Sequence, residues 1–315
     1  MLTQRLFELE NSSVRNLAWA IGAPSLIVSL DGLPILSDSF HERELEGSWD
    51  WLLMLDKDPS TLEAHLETPR TGRLGIYFER LLSFWLKNRS EYELVADNLQ
   101  VREKGHTFGA FDFILRAKDG SFEHWEVAIK YYLKRYDSLD WSSWVGPNKI
   151  DRMDKKLSRM RDHQLPLSAS PKGRETLKGV GITEPPRQYA FVKGMLFNHW
   201  REPAHRPNEA SLHQPAGIWV ELGDLERYSK ELNHHSWLER TKPNWLVPVR
   251  SDGANLWDRQ AVLDRGQDLD RPIKSCVCIL SEFSSSWAYS SFSLHNKVDP
   301  TDGLDSSITN LPKSI

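Results

Sequence analysis

The stretch HWEVAIKYYL, residues 124–133, is the feature that most constrains the fold. In an extended chain alternate residues share a face. Trp125, Val127, Ile129, Tyr131 and Leu133 then make one wholly apolar side, which has to pack on a core. His124, Glu126, Ala128, Lys130 and Tyr132 make the other side, which carries an acid and a lysine expected to reach back towards it. Taken alone, Glu126 and Lys130 are either an ion pair on an exposed strand or part of a site.

The neighbouring segments favour a site. FDFILRA (111–117) is a second strand, with Asp112 between two phenylalanines and pointing away from them. Asp119-Gly120 marks a turn, and a hairpin closing there brings Asp112 near Glu126. Two close carboxylates repel unless something neutralises them. Mg²⁺ commonly does so, through one or two carboxylates plus water and phosphate oxygens. ELVADNLQVRE (93–103) is a strand preceding both, so short links predict an antiparallel meander. Ahead of it, RLGIYFERLLSFWLK (73–87) predicts an amphipathic helix. Leu74, Phe78, Leu81, Leu82 and Trp85 share one face, and Glu79 flanks that stripe.

After the meander, NKIDRMDKKLSRMRDH (148–163) predicts a second amphipathic helix capped by Asn148. Ile150, Met153, Leu157 and Met160 form its apolar stripe. Arg152, Lys155, Lys156 and Arg159 form a basic one, either a solvated face or a set of phosphate contacts. A polar loop (164–187) leads to a fourth strand, QYAFVKGMLF (188–197).

An acid on a leading helix, an Asp on a strand and an acid-plus-lysine strand just after it resemble the PD-(D/E)XK, or restriction-endonuclease-like, superfamily. The resemblance covers about residues 71–197 and implies an α/β fold: an αβββαβ core with a mixed central sheet. GRLGIYFERLLSFWL, NLQV, GAFDFIL, HWEVAIKYYL, WVGPN and FVKGMLF more narrowly resemble a bacterial family of domains of unknown function, over most of the chain. The superfamily resemblance implies Asp112 as the central metal ligand for Mg²⁺ or Mn²⁺. It implies Glu126 as the second ligand, with the Val127 carbonyl nearby, and Glu79 binding the metal directly or through water. Lys130 is implied to orient or help deprotonate the attacking water. Two positions depart from the pattern. Phe111 replaces the proline before Asp112, and Ala128 stands two residues after Glu126, where lysine is usual. Lys130 comes four residues after, and Lys155 and Lys193 are alternative lysines. The implied function is hydrolysis of DNA or RNA phosphodiester bonds. The alternatives are a catalytically inactive nucleic-acid-binding or adaptor protein of the same fold, or a fold used only for protein interaction.

The expected organisation is a helical N-terminal extension (1–70), the nuclease-like core (71–200), a C-terminal α+β elaboration (201–283) and a mobile tail (284–315). The extension should hold helices over 13–23, capped by Ser12 or Ser13, and over about 59–67. The elaboration should hold strands at 216–222, 245–250 and 273–280 and a helical stretch near 224–233.

The net charge of −4 means that any nucleic-acid contact rests on a local basic patch. A mean hydropathy of −0.52, with no apolar run near 18 residues, predicts no membrane span. MLTQRLFELENSS does not read as a signal peptide, and two cysteines, Cys276 and Cys278, fit a reducing cytoplasm rather than a disulfide framework. They read as strand thiols, since no CxxC or histidine partner completes a zinc pattern. Trp141 and Trp144 either pack or stack bases. His234 and His235 read as surface residues. Walker, GxSxG, HExxH and GxGxxG motifs are absent.

Overall fold

The computed structural model describes residues 2–67, 73–88, 91–135, 138–146, 151–214, 216–231, 235–247, 257–267, 275–281 and 291–295. The chain is a mixed α/β protein. Among the described residues are nine α-helices and a nine-stranded mixed sheet.

Four helices open it: α1 (Leu2–Leu6), α2 (Ser12–Gly22), α3 (Asp38–Lys57) and α4 (Ser60–Glu67). The cap of α2 is Asn11 rather than Ser12 or Ser13. Its side-chain oxygen accepts from the Ser13 and Val14 amides at 2.9 and 3.2 Å, supplying the first turn with partners. Next come α5 (Leu74–Asn88) and the expected meander, β1 (Glu93–Glu103), β2 (His106–Arg116) and β3 (Phe122–Lys134), paired antiparallel. Gly120 makes the β2–β3 turn at φ +81°, a conformation that costs glycine little.

A short β4 (Trp144–Val145) pairs with β3. The helix α6 (Met153–Arg159) loosens into a π-helical turn, Met160–Gln164, and then tightens into a 3₁₀ turn, Leu165–Ala169. Its N-cap is Arg152, and the expected cap Asn148 lies outside the described residues. The segment expected as a polar loop also holds α7 (Pro171–Gly179), with Ser170 capping it through the Gly173 amide. β5 (Arg187–His199) then runs parallel to β3 from Arg187 opposite Glu123 to Phe197 opposite Leu133.

Beyond it lie β6 (Ala216–Glu221), α8 (Leu225–Glu231), β7 (His235–Thr241), α9 (Arg259–Gln267), β8 (Ser275–Ser281) and β9 (Ser291–His295). Trp245–Val247 is a buried turn, not the start of a strand, and 248–250 lie outside the described residues. Part of the segment expected as a tail pairs as β9 with β6 and β8. Cys276 and Cys278 are on β8, and His235 is on β7. No described helix is long and apolar enough to cross a membrane.

The alternation in β3 holds. Trp125, Val127, Ile129, Tyr131 and Leu133 are buried in the main core with α2, α3, α5 and the Phe191, Met195 and Phe197 side of β5. Side chains such as Trp85, Trp125 and Phe78 are fully covered there, each contributing about 1.5–3 kcal/mol or more. The opposite face of β3 is covered as well. Ala128 and Tyr132 pack with Met153, Leu157 and Met160 of the α6 segment and with Trp141 and Trp144, so both tryptophans are core residues. Charges on that face are therefore enclosed between sheet and helix.

Candidate active site at the parting of two strands

The β2–β3 ladder pairs Arg116 with Phe122 and continues only as far as Phe113 opposite Trp125. At the next step the Val127 amide donates to the Asp112 carboxylate (2.8 Å to Oδ2) instead of to a backbone carbonyl. Asp112 thus sits where the strands part. The expectation that it points away from both phenylalanines is corrected here. Phe111 packs with Val101, Ile114 and Leu177, whereas Phe113 packs in the main core on the other side of the sheet. Simple alternation fails at Asp112, opposite Asn98, whose φ of +49° marks the same irregularity in β1. A distortion of this kind re-aims one side chain without ending the sheet.

Three carboxylates meet there. Asp112 and Glu126 lie close enough to perturb each other's ionisation, and Glu79, from α5, adds its charge to theirs. Burial raises all three to about 7. For Asp112 the Glu126 charge adds to the rise and the Val127 amide opposes it. For Glu79 the Asp112 charge adds and Lys156 opposes. For Glu126 the Lys156 charge is the main opposing influence.

The cation among them is Lys156. Its Nζ donates to Gln164 Oε1 (2.9 Å), and Gln164 Nε2 in turn donates to Glu126 Oε1. Burial lowers the Lys156 pKa, and the Glu126 charge offsets part of that. Gln164 ends the π-helical turn, a backbone irregularity that recurs at functional sites. Glu126 Oε2 is buried with no hydrogen-bond partner and lies 3.6 Å from His124 Nε2. Burial holds His124 down at about 4, with the Asp112 charge opposing, so its ring is neutral.

Lys130 is placed differently. Four residues of extended chain span about 13 Å, too far for a direct contact with Glu126. Its Nζ donates to Asp151 Oδ2 (2.7 Å) and lies 5.6 Å from the Tyr132 ring centre. It is still close enough to Lys156 to help lower that lysine's pKa. Lys193 is on the opposite face of the sheet, fully buried, donating to the Ala23 carbonyl. Lys155 is exposed. The basic stripe is thus divided. Arg152 forks onto Asp154 (3.0 and 2.6 Å), Lys156 turns inward, and Lys155 and Arg159 face solvent.

A cleft of about 300 Å³ between α5 and the β1–β2 hairpin reaches Glu79 and Asp112. His65, Arg80, Ser83 and Lys87 also line it. Elsewhere, His199, Glu221 and Asp224 bring possible ligand atoms within 4.8 Å of one another, but Arg201 already pairs with Asp224 at 2.6 Å.

The sequence reading missed the inward turn of Lys156, the role of Gln164 and the approach of His124. Lys156 was legible: three residues after Met153 and four before Met160, it borders the apolar stripe. Gln164 was less so, because it lies one residue past the expected helix, on the π-helical turn.

A family model described as "Domain of unknown function (DUF1853)" matches residues 15–289. No curated protein and no solved structure matches the chain.

Proposed function

The chain belongs to the DUF1853 family, and we propose that it is a metal-dependent nuclease hydrolysing phosphodiester bonds of DNA or RNA. The observation that carries this reading is the meeting of Glu79, Asp112, Glu126 and Lys156 where β2 and β3 part. The order α5, β1, β2, β3, α6, β5, interrupted by the short β4 and by α7, supports a restriction-endonuclease-like core at about residues 71–200. The helices before it form an extension, and the strands and helices after it form an elaboration.

The donor set fits a hard divalent cation such as Mg²⁺ or Mn²⁺. Asp112, Glu126 and Glu79 offer only oxygen ligands. Glu126 Oε2 is buried and lacks a partner, and one half-buried lysine does not offset three acids. When bound, such a metal supplies a polarised water and charge compensation on the phosphoryl oxygens.

The protein's own groups have separate tasks. The Val127 amide fixes one oxygen of Asp112. Gln164 fixes Glu126 Oε1 and leaves Oε2 turned inward. The Lys156 ammonium, aimed by Gln164, offsets negative charge developing on the phosphate and orients the attacking water. Lys130, held by Asp151, adds positive potential beside it. Lys155 and Arg159 supply backbone phosphate contacts on the exposed side of α6.

The test is cleavage of single- and double-stranded DNA and RNA with Mn²⁺ by the parent and by Asp112→Ala. Loss of cleavage in the variant is expected, and equal activity in both refutes the reading. One observation favours the second reading, a nuclease fold retained for binding: Ala128 stands where a lysine is usual. Calorimetry with Mn²⁺ separates the two, because a binding-only protein gives no metal isotherm.

A further inference from the structure

The β1–β2 hairpin extends past the cleft, and its two sides differ in chemistry. On one side Val101 and Phe111 are buried against Leu177 of α7. Gly109 faces Leu167 on that side, and Glu103 pairs with Lys172 at 2.6 Å. Strand alternation then puts Arg102 and Phe108 on the opposite side, the side of the α5 cleft that Asp112 lines with Phe113. The ladder slips by one residue here, from Val101 opposite Gly109 to Arg102 opposite Thr107, so Phe108 is the extra residue and is thrown outward.

Phe108 is 54% exposed, a large ring in water on a protein that buries most of its aromatics. The His106 ring meets it edge-on, with centres 5.5 Å apart. Arg102 and Lys104, at the same end of the hairpin, are exposed, as is His106, and among the described residues no carboxylate pairs with Arg102 or Lys104. Between Phe108 and Asp112 the strand carries only the small Ala110, opposite Gln100. The hairpin therefore presents a low track from the acidic site to an aromatic ring set among cations. Four residues of strand make that track about 13 Å long.

We propose that this side of the hairpin holds single-stranded nucleic acid, with Phe108 stacking on a base a few nucleotides from the bond at Asp112. The inference rests on the proposed nuclease reading. Arg102 and Lys104 would meet the backbone phosphates, while the ring reads a base face that a duplex keeps covered. A flat aromatic with neighbouring cations suits an unpaired strand, whereas a duplex is held mainly through phosphate contacts.

The test is fluorescence anisotropy of the full chain in EDTA, with dye-labelled oligothymidylate and a duplex of equal charge. Phe108→Ala should weaken oligothymidylate binding by about tenfold, the loss of one stacked base. Phe108→Tyr should bind like the parent, and duplex binding should be unaltered by either change. Equal weakening of both probes, or no weakening, overturns the platform. So does a change in sedimentation of the free protein, which would make the face a protein interface. Asp112-dependent cleavage surviving such a result leaves the nuclease reading standing. Absence of both binding and cleavage removes both.

Discussion

Replacing Glu126 by Gln tests the electrostatic account of the site without requiring a substrate. In the folded protein burial holds this carboxyl at about 7, against an ordinary value of 4.5. An acid whose folded pKa is raised binds more protons folded than unfolded. Its contribution to stability is therefore best at low pH and declines as pH rises from about 4.5 to about 7. Above that window the full cost of holding the buried charge applies. At 1.36 kcal/mol per pKa unit it is about 3 kcal/mol, and Glu126 is 1% exposed, so water screens little of it. The substituted amide keeps an oxygen for Gln164 and gains a donor for Asp112. Urea unfolding in EDTA should thus find Glu126→Gln equal to the parent near pH 4.5 and up to about 3 kcal/mol more stable at pH 8. Excess Mn²⁺ at pH 8 should reverse the order by stabilising the parent. A difference that does not vary with pH, or a variant less stable at pH 8, would refute the assignment of a buried, uncompensated charge.

Three further outcomes follow from the same geometry. Mn²⁺ affinity measured by calorimetry should rise between pH 6 and 8, by up to about tenfold per pH unit for each proton displaced, because three acids near 7 hold protons that the metal must expel. A flat profile contradicts this ligand set. Lys156→Ala should lower single-turnover cleavage by about 10²–10³, and Lys130→Ala by clearly less, since Asp151 holds that ammonium. The reverse ranking would return the main catalytic part to Lys130. Gly194→Ala should cost at least about 2 kcal/mol in urea unfolding. A Cβ there would stand 1.7 Å from the Lys130 carbonyl at φ +144°, prying β5 from β3 directly behind the site. Unchanged stability would mean that the strands separate there at no cost.

The parts of the fold legible in the sequence were those whose periodicity was undisturbed. The apolar face of β3, the stripe on α5 and the meander were readable because each repeats a simple rule over ten or more residues. Simple rules break at Asp112, where Phe111 and Phe113 fall on opposite sides, and at Met160–Gln164, where the helix loosens to a π-helical turn. Both irregularities lie at the candidate site, where local rules are expected to give way to function. α7 was hidden because Pro and Gly in its first turn read as loop signals, while Pro171 at the first helical position in fact starts it.

On the proposed nuclease reading, the displaced lysine has a geometric answer in the same irregularities. A lysine two residues after the acid would sit at Ala128, but that position faces the α6 segment and packs among Tyr132, Met153 and Leu157. Putting a charge there would require space that the helix fills. The helix supplies the ammonium instead: Lys156, one residue before Leu157, extends past the packed layer to Gln164 and on to Glu126. The small Ala128 under α6 and a lysine donated by α6 thus belong together. Substituting Ala128→Lys alone should crowd the core without improving the site, whereas Lys156→Ala with Ala128→Lys asks whether the strand position can still serve. Failure of that pair to recover cleavage, in a protein that remains folded, would show that the helix has taken over the position for good.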